Sequence, residues 1–215
     1  MKKLKVLITA GSTYIPIDSV RVITNIFKGR LGIEIAKEFV ESGAEVKLLL
    51  GNSDIEIEES FKKGLNIVRY KYYDDLYSLV LREIKNDYDV VIHSSAVSDY
   101  KLADYKEGKI KSGQPELVLH LVPTEKIVDL FKKADASIFL IMFKLEVDKN
   151  REELLEVAKK SKDRANADVI VANDFREMKN NHRVYIVYER GVKEVAGKTN
   201  IAKELIKIVY DKFGE

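Results

Sequence analysis

The sequence predicts a mostly parallel, doubly wound α/β sheet of the Rossmann-like type, with helices on both faces and an antiparallel hairpin at its edge. Short apolar runs, typical of strands buried on both faces, alternate along the chain with segments whose apolar residues recur at helical spacing. Small and polar residues follow several of these runs, as they do at the ligand-binding edge of such sheets. Near the carboxyl terminus, two apolar runs are separated by the short turn Glu189-Arg190-Gly191, which indicates the hairpin.

The spacing of apolar residues divides the chain into alternating strands and helices. Predicted strands cover residues 5–9, 45–50, 65–69, 89–92, 117–122, 137–143 and 168–172, and residues 184–188 and 192–196 form the hairpin. Predicted helices cover residues 32–42, 75–85, 124–133 and 151–164, and a last helix ends near Phe213. Thr124 and Thr199 are the expected N-caps of the third and last helices. Because no linker or repeat interrupts this order, we expect one domain over residues 1–215.

The composition excludes several classes of protein. The 37 Lys and Arg residues nearly balance the 35 Asp and Glu residues, so overall charge favours neither nucleic acid nor a membrane surface as a partner. The absence of cysteine excludes disulfides, thiolate nucleophiles and cysteine-ligated metal clusters. No apolar stretch is long enough to span a bilayer, and the apolar run after the first lysines continues into a strand. We therefore expect a cytoplasmic protein.

The first strand leads into a turn of small residues, Ala10-Gly11-Ser12, and a second glycine pair, Gly29 and Gly32, opens the first helix. Unpaired backbone N–H groups at such a turn and at a helix N-terminus favour an anion, so this connection predicts a phosphate site. The interval between the two glycine segments is too long for a dinucleotide fingerprint or a P-loop. We expect it to be an irregular polar loop with a function of its own.

The polar residues of that loop include the set Asp18, Arg21, Thr24 and Asn25. In a ligand pocket, Arg21 would bind a carboxylate or phosphate and Asn25 an amide or hydroxyl group. In a purely structural set, Asp18 and Arg21 would form an ion pair and Asn25 would cap the following helix. The residue pattern leaves both interpretations open.

A second small and polar segment, residues 94–100, follows the fourth strand. There Asp99 could hold a divalent metal that bridges phosphates, or it could cap a turn. Residues 100–114 are polar and contain four lysines and two glycines, which indicates a loop or lid. Mobile lysines suit a nucleotide triphosphate, and an ordinary solvated loop is the structural alternative.

The same lid contains Tyr105 and Lys109 at the spacing of the Tyr-x-x-x-Lys pair of short-chain dehydrogenases, with Ser94 and Ser95 upstream. That pair needs a helix to bring both side chains to one face, and Gly108 argues against a helix. The first turn also lacks the glycine pattern of a nicotinamide dinucleotide site. The three histidines show no metal-ligand spacing.

Several segments, taken in order, resemble the family of phosphopantothenoylcysteine synthetases, which join 4′-phosphopantothenate to cysteine in coenzyme A synthesis. The segments that carry this resemblance are ITAGSTYIPIDSVRVITN (8–25), GRLG (29–32), AVSDY (96–100), KIKS (109–112), PT (123–124), FKLEVD (143–148) and ADVIVANDF (167–175). They cover nearly the whole chain, and the first and the last are specific. Segments 94–100 and 143–148 are most similar to the monofunctional bacterial branch. Because the first strand begins near Met1, we expect the flavin-dependent decarboxylase of the pathway to be a separate chain.

The resemblance implies a ligation in two steps. The substrate carboxylate attacks the α-phosphate of a nucleoside triphosphate, CTP in the bacterial branch or ATP in the eukaryotic branch, and pyrophosphate leaves. The cysteine amine then displaces the nucleotide and forms an amide. Neither step needs a protein nucleophile, so the protein would supply charge neutralisation and positioning, together with Mg²⁺.

The resemblance also implies roles for individual residues and a homodimer. The residues implied in catalysis are Asn25, Arg21 and Lys109, the last of which would stabilise charge at the α-phosphate. The residues implied to bind the nucleotide are Gly11, Ser12, Thr13, Ala96, Asp99, Lys109, Phe143 and Asn173, with Asp99 at the magnesium ion. The residues implied to bind phosphopantothenate are Arg21, Asn25, Lys28, Gly29 and Gly32.

The largest departure from the family is the pair Phe27-Lys28, where two small hydroxyl residues usually help to bind the substrate phosphate. Lys28 could contact the phosphate instead, whereas Phe27 has no side-chain donor. Two hypotheses stand beside the ligase, and this departure suggests the second of them. One is a nicotinamide-dependent oxidoreductase that uses Tyr105 and Lys109, and the other is a non-catalytic nucleotide-binding relative.

Overall fold

A computed structural model describes residues 3–57, 61, 64–180 and 182–214 of the chain. Its strands are β1 (Lys5–Ala10), β2 (Tyr14–Pro16), β3 (Val22–Thr24), β4 (Glu45–Leu50), β5 (Leu65–Arg69), β6 (Val90–His93), β7 (Tyr100–Leu102), β8 (Leu121–Pro123), β9 (Phe139–Glu146), β10 (Val169–Asp174), β11 (Arg183–Tyr188) and β12 (Gly191–Ala196). Its helices are α1 (Arg30–Glu41), α2 (Tyr73–Glu83), α3 (Val128–Ala134), α4 (Arg151–Ala165), α5 (Phe175–Asn180) and α6 (Lys198–Phe213). Among these described helices, every one is too short or too polar to cross a membrane.

Eight strands of the described chain form one sheet, in the order β12-β11-β10-β9-β6-β1-β4-β5. The six strands from β10 to β5 run parallel, whereas β11 and β12 pair antiparallel at one edge. The chain builds the sheet outward from β1 through β4 to β5 and then returns to β6 on the other side of β1. This order is that of a doubly wound sheet, with its switch point between β1 and β6. The predicted fold class is therefore confirmed, including the terminal hairpin.

Alternate residues of β1 enter two different cores, one on each face of the sheet. Val6 and Ile8 pack in the core that contains Phe39 of α1 and Leu205 of α6. Leu7 packs in the opposite core, to which α2, α3 and α4 contribute. Because successive side chains of a strand point to opposite faces, a strand covered on both sides must be apolar throughout. This burial holds the carboxyl ends of the central strands in place, where ligands bind in such sheets.

Two segments that the sequence predicts as loops contain short strands. The interval after Gly11 folds into the hairpin of β2 and β3, in which Ile15 pairs with Ile23. Residues 100–114 begin with β7, which pairs with β8. The predicted strand 117–122 is shorter and later in the structure, where only Leu121–Pro123 is strand. These three-residue strands lack a long buried apolar run: β7 and β8 are largely exposed, and Ile15 is the buried residue of β2 and β3.

Neither Thr124 nor Thr199 caps a helix, so both predicted caps are wrong. The helix α3 begins at Val128, and the Thr124 hydroxyl instead donates to the Ser98 carbonyl at 2.7 Å. The helix α6 begins directly after Gly197, and the Thr199 hydroxyl donates to the Glu34 carboxylate at 2.8 Å. Both hydroxyl groups therefore bond to residues distant in the sequence instead of to the backbone of their own helices.

Candidate functional site

A cavity of about 840 Å³ lies at the carboxyl ends of β1, β6, β9 and β10. The turn after β1 contributes Gly11, and the segment after β6 contributes Ser94, Ser95, Ala96 and Val97. The first turn of α1 closes a further side. The cavity therefore occupies the switch point of the sheet, where the sequence predicts a ligand site.

Glycines allow α1 to approach the first turn without intervening side chains. Gly29 adopts the left-handed conformation (φ +78°), and a Cβ atom on it would lie 2.6 Å from the backbone nitrogen of Gly11. A Cβ atom on Gly32 would lie 2.5 Å from the Cβ of Ala10 and 2.6 Å from the Ser94 hydroxyl oxygen. Gly29 is also the N-cap of α1, and no side chain caps this helix end. The first backbone N–H groups of α1 are thus available to an anion in the cavity.

Among the charged residues that line the cavity, cations outnumber anions, although Lys126, Lys144 and Arg164 each pair with a carboxylate. Its described residues include six that are Lys or Arg and two that are Asp or Glu: Lys28, Arg30, Lys126, Lys144, Arg164 and Lys198, against Asp99 and Glu125. An excess of positive charge in a concave site attracts polyanions and stabilises charge on transferring phosphoryl groups. The cavity therefore suits a triphosphate better than a neutral ligand.

The carbonyl group of Ala96 joins the segment after β6 to the loop after β1. The Asn25 side-chain amide donates to this carbonyl at 3.0 Å, and the backbone N–H of Thr13 donates to it at 3.4 Å. The backbone N–H of Ala96 in turn donates to the Gly11 carbonyl at 2.9 Å. The alternative in which Asn25 caps the first helix is therefore wrong, because Gly29 caps that helix and Asn25 bonds to Ala96.

Tyr70 stabilises the same turn, a contact that the sequence did not predict. Its buried hydroxyl donates to the Ala10 carbonyl at 2.8 Å and lies 2.8 Å from the Ser95 hydroxyl. Burial raises the pKa of the phenol, so the side chain stays neutral. Its place one residue after a predicted strand was the only sequence signal, since contacts this distant along the chain leave no local pattern.

Asp18 and Arg21 form the ion pair that the structural interpretation predicts. The Arg21 guanidinium is the main reason that the pKa of the Asp18 carboxyl lies far below its usual value. The same pair holds the lid, since Ile110 donates its N–H to Asp18 at 3.1 Å and accepts from Arg21 at 3.1 Å. Ser19 and Gly108 add two further hydrogen bonds, of 3.0 and 2.9 Å. The β2–β3 hairpin thus docks the lid.

Not all of the predicted site residues line the cavity. Those that do are Gly11, Lys28, Gly29, Gly32, Ala96, Asp99, Phe143 and Asn173, whereas Ser12, Thr13, Arg21, Asn25 and Lys109 lie outside its lining. Ser12 and Thr13 are buried beneath the turn, and Arg21 and Lys109 are exposed on the hairpin and the lid. The structure therefore brings most of the predicted binding residues together in one cavity and leaves the implied catalytic residues Arg21, Asn25 and Lys109 outside its lining.

Asp99 is the predicted magnesium ligand. It lines the cavity, its side chain is 66% exposed, and its carboxylate pairs with Lys126. Within the described part of the chain, no three His, Cys, Asp or Glu residues converge as a metal site would require. One carboxylate is nevertheless compatible with magnesium, which usually takes one or two carboxylates together with phosphate oxygens and water. Any metal here would depend on the phosphates of a bound nucleotide.

The dehydrogenase alternative lacks its geometry. Tyr105 and Lys109 lie in an irregular segment without helix, so the Tyr-x-x-x-Lys spacing does not bring the two side chains to one face. Both residues are exposed and lie outside the lining of the cavity. This arrangement argues against the oxidoreductase hypothesis.

A model of the DNA/pantothenate metabolism flavoprotein C-terminal domain family matches residues 1–212. The chain belongs to this family. The membership confirms the resemblance on which the sequence analysis relied. It covers all of the segments that line the cavity.

One curated relative in this family is the coenzyme A biosynthesis bifunctional protein CoaBC of Thermococcus kodakarensis. It is 40% identical over 173 residues, which are 80% of this chain and 41% of the relative. The chain thus spans less than half the length of that relative.

Two solved structures of the family share the fold. The DNA/pantothenate metabolism flavoprotein from Streptococcus pneumoniae has a TM-score of 0.87 and 32% identity, and the match covers 97% of this chain and 99% of that one. The C-terminal domain of a coenzyme A biosynthesis bifunctional protein CoaBC has a TM-score of 0.80 and 28% identity, with 98% and 96% covered. The agreement extends over the whole sheet and its helices.

Proposed function

We propose that this domain is a phosphopantothenate–cysteine ligase of coenzyme A biosynthesis that uses CTP and Mg²⁺. The observation that carries the proposal is the cationic cavity at the switch point, built from the segments that place the chain in its family. The 4′-phosphopantothenate carboxylate would attack the α-phosphate of CTP, forming an acyl-cytidylate and releasing pyrophosphate. The cysteine amine would then attack the acyl carbon, lose a proton and expel CMP.

The cavity supplies the electrostatic part of this chemistry. Lys28, Arg30 and the uncapped N-terminus of α1 would bind phosphate groups, and Asp99 would hold Mg²⁺, whose charge would help to neutralise the phosphates. Lys109 lies on the lid, so it would reach the α-phosphate when the lid closes over bound substrates. Asn25, which bonds to Ala96 in the lining, and Arg21, on the neighbouring hairpin, would hold the pantothenate part of the substrate. Charge neutralisation of this kind lowers the barrier for phosphoryl transfer.

The pair Phe27-Lys28 would change how the substrate phosphate is held. Phe27 packs edge-on against Phe175, with ring centroids 6.2 Å apart, so its ring joins the first loop to the end of β10. Lys28 lines the cavity, and its ammonium group lies 3.4 Å from the Asn52 side-chain oxygen. A charged contact from Lys28 would thus replace the hydroxyl contacts that other family members use. The separate decarboxylase chain and the cytoplasmic location stay predictions.

Pyrophosphate release tests the proposal directly. Purified protein with Mg²⁺, CTP and 4′-phosphopantothenate should release pyrophosphate, and product should form only when cysteine is added. Lys109→Gln and Asn25→Asp should each lower kcat by about 100-fold, as expected when one transition-state contact is lost. Lys106→Gln, a change at another exposed lid lysine, is the matched control and should retain activity.

The same assay separates the remaining hypotheses. Rates of pyrophosphate release measured in parallel with CTP and with ATP show which nucleotide the protein uses. Tight binding of CTP and phosphopantothenate without any pyrophosphate release would refute the ligase and favour a non-catalytic relative. Quenching of NADPH fluorescence on binding would instead favour an oxidoreductase.

A further inference from the structure

His182 is a buried histidine in the wall of the cavity. The residue is only 7% exposed, and its Nε2 atom has no hydrogen-bond partner within the described chain. Its backbone is left-handed (φ +44°) and is tied to the start of α6 by a hydrogen bond from the Gly197 N–H at 3.3 Å. A buried polar atom without a partner costs free energy, and because His182 lines the cavity, a bound ligand would supply that partner if the ring turned toward it.

The chemistry of this imidazole favours a neutral polar partner. Burial and the nearby Lys198 ammonium lower the pKa of His182, so the ring is uncharged at neutral pH. A neutral imidazole offers one N–H donor and one lone pair, and adds no charge with which to attract a phosphate. The base of the nucleotide fits this requirement better than its phosphates do.

The neighbours of His182 complete a site for a flat heterocycle. The register of β10 with β11 pairs Ala172 with Tyr185, which places His182 beside the carboxyl end of β10, where Asn173 lies. Asn173 is 7% exposed, and among the described residues its amide nitrogen donates to the weak acceptor Sδ of Met178, at 3.1 Å. Phe143 and Met178 also line this part of the cavity. One amide and one imidazole among apolar side chains provide three hydrogen-bonding groups for the edge of a base.

We propose that His182 determines the base specificity of the nucleotide site by donating a hydrogen bond from Nε2 to the carbonyl oxygen of cytosine. Asn173 would accept from the exocyclic amine and donate to the adjacent ring nitrogen, a pair of groups that cytosine and adenine share. Cytosine carries a carbonyl oxygen next to that nitrogen, whereas adenine has a C–H there. His182 therefore supplies the contact that separates the two bases. The inference rests on the proposed function for the identity of the ligand as a nucleotide.

The first test compares variants in the pyrophosphate assay at saturating phosphopantothenate and cysteine. His182→Ala should raise KM for CTP by about 10- to 100-fold, the loss expected for one buried hydrogen bond, and change KM for ATP by less than about threefold. His182→Gln keeps a donor near the position of Nε2 and should recover most of the preference for CTP. His120→Ala, at an exposed histidine outside the cavity, should leave both constants unchanged. An unchanged CTP-to-ATP ratio in His182→Ala, or a wild type that prefers ATP, would overturn the inference and leave the ligase intact.

The second test needs neither turnover nor a folded variant. The chain has three histidines, so ¹⁵N NMR of the wild-type imidazoles resolves each ring. Saturating CMP should shift the Nε2 resonance of His182, and AMP at equal occupancy should shift it much less. His182 resonances that move equally with both nucleotides would contradict the proposal, whatever the outcome of the ligase assay.

Discussion

At the scale of single residues, the site depends on backbone positions that exclude any side chain. Gly29 combines a left-handed conformation with direct contact to the backbone of Gly11, and both line the cavity. A side chain at Gly29 would meet backbone atoms of a buried turn, which cannot rotate away as the end of a flexible side chain can. This contact couples the anion-binding end of α1 to the end of β1.

Gly29→Ala should therefore destabilise the protein more than a glycine substitution governed by conformation alone. Gly43 provides the control, since it is also left-handed (φ +88°) but has open space around its Cβ position. Gly43→Ala should cost about 1–2 kcal/mol in unfolding free energy. Gly29→Ala should cost at least about 1 kcal/mol more, because overpacking adds to the strain. Urea unfolding measures both, and equal losses would show that the turn can yield to a methyl group.

At the scale of elements, the β2–β3 hairpin is hydrogen-bonded to the lid. Its turn holds the lid backbone at Gly108 and Ile110 through Asp18, Ser19 and Arg21. If Arg21 also binds phosphopantothenate, as the family resemblance implies, lid docking and substrate binding compete for one guanidinium. Substrate binding would then free the lid, which carries Lys109, from the hairpin.

Asp18→Asn should undock the lid without unfolding the domain. The change removes the charge that holds Arg21 and weakens the bond to the Ile110 N–H, so both should become mobile. Hydrogen exchange at the amides of Gly108 and Ile110 should accelerate by about 10-fold or more, while exchange in the central strands stays unchanged. Asp211→Asn, which removes an exposed ion pair with Arg190, is the control. Equal exchange at the lid in both variants would show that the hydrogen bonds to the hairpin contribute little to holding the lid in place.

At the scale of the whole molecule, one exposed apolar surface lacks a partner within the described chain. It comprises Tyr100, Leu117, Val118, Leu121 and Val122, on and beside the β7–β8 hairpin, and their exposed fractions run from 38% to 61%. Exposed apolar residues that lie close together in a fold can mark a protein interface. We propose that this surface, which we call the β7–β8 arm, supports the homodimer that the family resemblance implies.

Substitutions in the β7–β8 arm should separate the subunits. Sedimentation of the wild type at micromolar concentration should give the mass of two chains, and the double change Val118→Asp with Leu121→Asp should give one. Leu81→Asp, at a residue 38% exposed on α2, is the control and should sediment as the wild type does. A wild type that sediments as a single chain would contradict the proposal.

The sequence by itself determined the order of the strands in the main sheet and of the longer helices, the parallel pairing and the position of the cavity at the switch point. Each follows from local patterns, because burial on both faces makes strands such as β1 apolar throughout and small residues mark their carboxyl ends. The motifs for the anion site, Gly11, Gly29 and Gly32, were also visible, since backbone conformation and close approach select glycine locally.

Only the tertiary structure decided which polar groups meet across the chain. Asn25 bonds to Ala96, Tyr70 supports Ala10 and Ser95, and Thr124 bonds to Ser98 rather than capping a helix. His182 shows the same limit, since its burial and its unpaired Nε2 come from packing that no spacing encodes. Hydrogen bonds between distant residues depend on how the loops fold over the sheet, so they leave no periodic trace in the sequence.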